Sequence, residues 1–214
     1  LLKENYEREA TAVIMNYHPA PRAEAIKKTD PIKVLWVANF KLLKQPEVFV
    51  KLAEDLRSYN NARFIMIGAP APSEKWFHEI LERIASMENL EYHGVQTQEQ
   101  VNALLAQSHI LVNTSQYEGF SNTFIQAWLH EVPVVSLSSS PDGLLDNGSL
   151  GYCASGDYDL LLESVRKLLN NSRAINDIGM KARQYALESH SEKNMLELVK
   201  LIDKGIYTES YQSG

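Results

Sequence analysis

With 214 residues, 44% of them hydrophobic and 22% charged, the chain has the composition of a soluble globular domain. At that length it can bury roughly 70% of its unfolded surface, so it needs no disulfide or metal staple. Its 27 acidic side chains against 21 basic ones, a net charge of −6, exclude a general nucleic-acid binder, because nothing offsets a run of phosphates. A single cysteine, Cys153, excludes an internal disulfide and suits a reducing compartment. No apolar stretch approaches the roughly 20 residues of a membrane span. The opening Leu1-Leu2-Lys3-Glu4 carries neither an initiating Met nor a signal-peptide pattern, and reads as a cut inside a longer protein.

In chain order, the first apolar run is Ala12-Val13-Ile14-Met15, read as a leading strand. Tyr17 to Asp30, with Pro19, Pro21 and Lys27-Lys28, reads as a connection between elements. Ile32 to Ala38 is the next strand, and Pro46 then stands at a first helical position ahead of Val48, Phe49, Leu52, Ala53 and Leu56 at helical spacing. Phe64 to Ile67 is a strand, and Ser73 is placed to cap the helix after it. Leu90 to Tyr92 follows, then a capping box at Thr97-Gln98-Glu99-Gln100 before Val101, Leu104 and Leu105. Ile110 to Asn113 and Val132 to Leu137 are strands flanking a helix for which Ser121 is the expected cap. Gly151 to Ala154 reads as a short late strand holding a buried, inert Cys153. Asp157 caps the next helix, and from there helical segments run to about residue 203.

Several of these runs are apolar at consecutive positions and rich in Val and Ile, as strands covered on both faces are. Strand–helix–strand repeated this often requires parallel pairing through right-handed crossovers. The expected fold is therefore α/β: a doubly wound, mostly parallel Rossmann-like sheet with helices on both faces and a helical C-terminal segment. The expected division is a leading piece over 1–30, one nucleotide-binding domain over 31–206, and a frayed polar tail over 207–214.

In such sheets ligands bind beyond the carboxyl ends of the strands, where the strand order reverses. There is no G-x-G-x-x-G after the first strand and no G-x-x-x-x-G-K-[ST], which argues against a dinucleotide site and a P-loop. His78, His93, His109, His130 and His190 are scattered without metal spacing and read as structural, so no metal site is expected. The informative segment is Ser115 to Ala127. It places a carboxylate, Glu118, in a loop after a strand, then Gly119, which permits a tight turn and close backbone approach, then a helix opening at Ser121-Asn122-Thr123. The free N–H groups and positive dipole end of that helix make an anion site without a basic side chain. Gln126, on the second turn, is read as pointing to the same mouth. Taken alone, Glu118 and Gln126 read equally well as a solvated loop acid and a surface residue.

Ile110 through Val135 resembles the nucleotide-sugar site of GT-B glycosyltransferases, specifically glycosyltransferase family four. Glu118-Gly119-Phe120 and Pro133-Val134-Val135 carry that resemblance, and the family's second Glu, eight positions after the first, falls on Gln126. Val34 to Leu56 is similar to the first strand and helix of the family's C-terminal half, with Lys44 matching its phosphate-binding lysine. Ala12 to Tyr17, Ser140 to Leu144, and Arg183 through Ser191 also look like family segments, so the resemblance covers most of the chain.

The resemblance implies that Glu118 contacts the donor sugar and is the catalytic carboxylate. Backbone amides around Phe120, Ser121, Asn122 and Thr123 would hold the diphosphate, with Lys44 offsetting its charge and Gln126 meeting the ribose. Two departures bear on affinity. An amide at Gln126 cannot form two charge-assisted bonds, and Asn39 stands where the family usually has a bidentate Arg. The implied activity is that of the donor-binding half of a retaining glycosyltransferase, moving a sugar from a nucleoside diphosphate sugar to a glycan or lipid-linked acceptor. No further cofactor is implied, and the implied partner is an N-terminal half of the same polypeptide, without which this half would transfer nothing. A binding module without transfer activity and half of a nucleotide-sugar epimerase are the alternatives. The implied location is the cytoplasm, with any membrane contact made through the other half at the inner face.

Overall fold

The structure, a computed structural model, describes residues 14–21 and 28–210, with side chains up to residue 203. Six strands form one sheet: β1 (Ile32–Val37), β2 (Ala62–Ile67), β3 (Leu90–Tyr92), β4 (Ile110–Asn113), β5 (Val134–Ser136) and β6 (Gly151–Cys153). Their spatial order is β3-β2-β1-β4-β5-β6 and every pairing is parallel. The chain winds outward from β1 to β3, returns to lay β4 against β1, then winds outward the other way. The reversal lies between β1 and β4, whose register pairs Val34 with Ile110 and Leu35 with Leu111.

The helices are α1 (Pro46–Asp55), α2 (Lys75–Ala85), α3 (Gln98–Gln107), α4 (Asn122–Leu129), α5 (Tyr158–Leu169), α6 (Ser172–Ser189) and α7 (Glu192–Ser210). Alternation along the strands sorts the core into two layers. Val34, Trp36, Phe64 and Met66 face α1, α2 and α5 in one layer. Leu35, Ile65, Ile67 and Leu111 face α3, α4 and α6 in the other. Burial on both faces explains why these strands read as continuous apolar runs and not as alternating ones. Trp36 and Trp128 are 1% and 0% exposed, as core residues should be, whereas Trp76 is only half-buried.

Local chemistry accounts for most helix starts. Pro46 occupies the first turn of α1. Thr97 accepts from the Gln100 amide while the Gln100 side chain accepts from the Thr97 amide, a complete capping box. Asp157 accepts from the amides of Asp159 and Leu160. Two expected caps differ. Glu74, not Ser73, precedes α2 and caps it with no side-chain bond, whereas at the other end Ser86 Oγ donates to the Arg83 carbonyl at 2.7 Å. Ser121 holds the cap position of α4, but its hydroxyl bonds no helix amide.

Other boundaries also shift. β5 is shorter than the run Val132 to Leu137. Ile14 and Met15 lie in irregular chain and not in a strand, and Ala12 and Val13 fall outside the described residues. α7 extends to Ser210, past the Tyr207 at which a polar tail was expected, and residues 211–214 fall outside the described residues. Cys153 is half-exposed at the end of β6, where it borders an open cleft, because the chain turns away immediately after it.

Two glycines mark close approaches that the layers require. A Cβ on Gly68, at the end of β2, would sit 1.7 Å from the Ala38 carbonyl oxygen. A Cβ on Gly179 in α6 would sit 2.2 Å from the Glu131 carbonyl oxygen, in the turn between α4 and β5.

Candidate functional site

The loops after β1 and β4 meet at the reversal of strand order, and a buried relay ties them together. Trp36 Nε1 on β1 donates to Thr114 Oγ1 at 2.8 Å, and Thr114 Oγ1 donates to the Lys44 carbonyl at 2.6 Å. The Gln116 amide donates to the Leu43 carbonyl at 3.0 Å. With its backbone held in this way, the Lys44 side chain reaches across and its Nζ lies 2.6 Å from Glu118 Oε2. Ser115 Oγ donates to the same oxygen at 3.0 Å. The two charged side chains are 27% and 19% exposed, so the pair is shielded yet open to the cleft. The sequence assigns no role to Thr114, and none to Ser115 beyond opening the informative segment. Their signal there is a small polar pair at the carboxyl end of an apolar strand, a place where a hydroxyl has no packing reason to be.

α4 starts immediately beyond this pair. The Phe124 amide returns to the Ser121 carbonyl, and among the described residues no acceptor takes the amides of Asn122 and Thr123. Without a side-chain cap at Ser121, these donors and the dipole end stay available to an anion. Phe120 anchors the loop, its ring 6.2 Å from that of Trp128 and 4.9 Å from that of His190. Gly119 lies in a bend but does not use glycine's conformational freedom: its φ is not left-handed, and a Cβ there would meet nothing within 4 Å. Glycine at this position keeps the wall of the cleft bare; the fold itself does not demand it.

The site opens on two sides. An open cleft of about 910 Å³ runs along Gln116, Tyr117, Glu118, Gly119, Ser139 and Asp146. A smaller depression of about 270 Å³ lies between Asn39, Gly68, Ala69, Val95, Val101 and Thr123. Asn39 belongs to that second depression, and its Oδ1 accepts from the Ala69 amide at 3.0 Å. It braces the β1 loop against the β2 loop, a role an arginine could not fill with the same atoms.

Gln126 is 8% exposed, on the face of α4 that the chain before β1 crosses. Its Nε2 lies 2.9 Å from His18 Nε2. Asn16 Nδ2 donates to Asn122 Oδ1 at 3.2 Å. His18 was absent from the sequence reading because nothing local distinguishes it. Of the other histidines, His109 Nδ1 accepts from the Lys33 amide. His93 pairs with Glu91 and His78 bonds the Pro72 carbonyl. Burial, with smaller contributions from the charges of Lys28, Arg183 and His18, pushes His130 down to about 4. Burial also lowers His190, partly opposed by its bond to the Asn16 carbonyl. Burial lowers His109 as well, to about 4, so His109, His130 and His190 are neutral packing elements. Among the described residues no group of three His, Cys, Asp or Glu gathers to hold a metal, and no helix is long and apolar enough to cross a membrane.

A doubly wound parallel sheet, with an anion-ready helix start and a Lys–Glu pair at its point of reversal, defines a Rossmann-like domain of the GT-B glycosyltransferase kind. The family model of glycosyl transferases group 1 matches residues 31–171, and the chain belongs to that family. It is 25% identical over 158 residues to the poly(ribitol-phosphate) alpha-N-acetylglucosaminyltransferase of Staphylococcus aureus, a match covering 72% of this chain and 31% of that protein. Among solved structures it is similar to a TarM variant of S. aureus in complex with fondaparinux, alpha-GlcNAc-glycerol and UDP. That match has a TM-score of 0.77 and 21% identity, covering 91% of this chain and 39% of that one. It is also similar to HepE of Anabaena in complex with UDP and glucose, with a TM-score of 0.70 and 15% identity, covering 81% of this chain and 48% of that one. The chain thus spans about a third to a half of the length of these relatives.

Proposed function

We propose that this chain is the donor-binding half of a retaining glycosyltransferase that moves a sugar from a nucleoside diphosphate sugar to a glycan or lipid-linked acceptor. The observation that carries this reading is the Lys44–Glu118 pair held beside the bare amides of α4 at the reversal of the sheet. The amides of Asn122 and Thr123 and the Lys44 ammonium receive the diphosphate, neutralising the leaving group as the glycosidic bond breaks. Lys44 is thereby drawn off Glu118, and the freed carboxylate accepts from hydroxyls of the sugar and fixes its orientation. The sugar occupies the cleft along Tyr117, Ser139 and Asp146, and the base lies in the depression beside Asn39 and Val101. Gln126 meets the ribose.

The acceptor and its binding groups belong to an N-terminal half of the same polypeptide. α7 supports this, because Met195, Leu196, Leu198, Val199 and Ile202 are 41–54% exposed on it, an apolar surface suited to a covering domain. Leu42 and Leu43, 65% and 49% exposed in the β1 loop, suit the same contact. A binding module without transfer is the second reading, favoured by the amide at Gln126 and by the use of Asn39 as a brace.

Calorimetric titration of the chain with UDP, GDP, ADP and their sugar conjugates tests the proposal. UDP and UDP-N-acetylglucosamine come first, since UDP is the nucleotide bound in the similar structures and N-acetylglucosamine is the sugar in the relative's name. Micromolar to sub-millimolar binding of one nucleoside diphosphate is expected. Silence across the panel at millimolar ligand refutes the reading. Sugar transfer by the complete polypeptide, set against none by this chain, separates transferase from binding module.

A further inference from the structure

The contact between His18 and Gln126 has a definite polarity. His18 Nδ1 lies 3.2 Å from the Pro19 carbonyl oxygen, which can only accept, so Nδ1 carries the ring proton. In the neutral ring the other nitrogen, Nε2, is then an acceptor. Its partner at 2.9 Å is the Gln126 side-chain amide, which must turn its NH₂ toward the ring. The amide oxygen is thereby directed away from His18. Among the described residues no donor reaches Gln126 Oε1, and it is not one of the sealed unpartnered atoms. A side chain 8% exposed thus keeps one acceptor for something outside the fold.

His18 is not held in place by this bond alone. Its own amide donates to the His190 carbonyl at 3.1 Å, and His190 Nδ1 donates to the Asn16 carbonyl at 2.7 Å. Asn194 Nδ2 donates to the Met15 carbonyl at 3.0 Å. These bonds tie Met15, Asn16 and His18 to the junction of α6 and α7, and Asn16 Nδ2 bonds Asn122 at the start of α4, so the ring meets Gln126 from a fixed side.

We infer that His18 is a positioning residue for donor recognition, holding the Gln126 amide so that its oxygen alone faces a ribose hydroxyl. The inference rests on the proposed placement of the nucleotide. It explains how an amide can serve where the resemblance places a carboxylate. A carboxylate presents an acceptor in either flip, whereas an amide presents an acceptor in one and a donor in the other. A ring nitrogen that only accepts selects the useful flip.

The test compares a ribonucleoside diphosphate with its 2′-deoxy and 3′-deoxy forms, using whichever of UDP, GDP and ADP binds. The proteins are the parent chain, His18→Ala, Gln126→Glu and the double variant, matched for circular dichroism and melting temperature. The parent should prefer the ribonucleotide over one of the deoxy forms by about tenfold, the worth of one hydrogen bond and its unpaired acceptor. His18→Ala should lower that ratio from about tenfold to about fivefold, because only one of the two flips of the freed amide then serves. Gln126→Glu should keep the preference, and adding His18→Ala to it should change nothing, since both carboxylate oxygens accept. Loss of the ratio on His18→Ala in both backgrounds overturns the inference, because His18 would then touch the ribose itself. An unchanged ratio in His18→Ala, with or without an equal loss for all ligands, overturns it too and leaves the nucleotide site standing. A parent chain that binds without preference, or binds none of the three, refutes the placement on which the inference rests.

Discussion

Replacing Lys44 by alanine separates the charge of the site from its fold. The Nζ of Lys44 bonds Glu118 at 2.6 Å, and both groups are largely shielded, at 27% and 19% exposure. Diphosphate binding must therefore share or displace that bond. Removing the ammonium deletes one charge-assisted hydrogen bond to the diphosphate, about 1.5–3 kcal/mol. The displaced bond joins partly shielded charges and is worth about 1 kcal/mol, a cost that the diphosphate meets in the parent but not beside Glu118→Gln. Lys44→Ala should thus weaken nucleoside diphosphate binding by about 1.5–3 kcal/mol when Glu118→Gln is already present, and by about 1 kcal/mol less in the parent. The nucleoside alone should bind equally to every variant. Titration calorimetry of the four proteins gives the coupling directly, and raising the salt from about 0.05 to 0.5 M should shrink the difference between backgrounds. Equal losses in both backgrounds, or a loss for the nucleoside as large as for its diphosphate, would refute the assigned charge roles.

Three further outcomes follow from the packing. Thr114→Val keeps the volume but removes the acceptor for Trp36 Nε1 and the donor to the Lys44 carbonyl, so urea unfolding should show a loss of about 2–4 kcal/mol, with weaker diphosphate binding as the β1 loop loosens. A loss under 0.5 kcal/mol would deny the relay its role. Gly179→Ala sets a helix-propensity gain of about 1 kcal/mol against a Cβ 2.2 Å from the Glu131 carbonyl, and overpacking should win by about 1–3 kcal/mol, read as a lower melting temperature; a rise would show that α6 shifts freely. His130, lowered from 6.5 to about 4 chiefly by burial, binds its proton more readily unfolded than folded. Its contribution is fully present above pH 6.5 and is lost as the pH falls toward 4, by about 3 kcal/mol. His130→Gln should flatten the urea-stability profile over that window, with His109, also lowered to about 4, keeping some slope; an unchanged profile would refute the assignment.

The doubly wound fold was legible in the sequence because its determinants are local. Apolar runs such as Ile32 to Val37, Pro46 at a helix start, the Thr97–Gln100 capping box and the Asp157 cap each act within a few residues of themselves. Alternating strands and helices then leave parallel pairing with right-handed crossovers as the way to bury both faces of the strands. The stretch from Glu118 to Gln126 was equally visible, since it sits within one loop and one helix. What could not be read is what those residues touch. Lys44 meets Glu118 across 74 positions, Trp36 meets Thr114 across 78, and His18 meets Gln126 across 108. Each contact exists only because β4 returns to lie beside β1 and the chain before β1 crosses the start of α4. Nor could local spacing reveal that Ser121 leaves its helix amides bare or that Asn39 is occupied by Ala69. A side chain's hydrogen bonds go to whatever the folded chain places within about 3 Å of it. For residues so far apart along the chain, the order of strands in the sheet makes that choice.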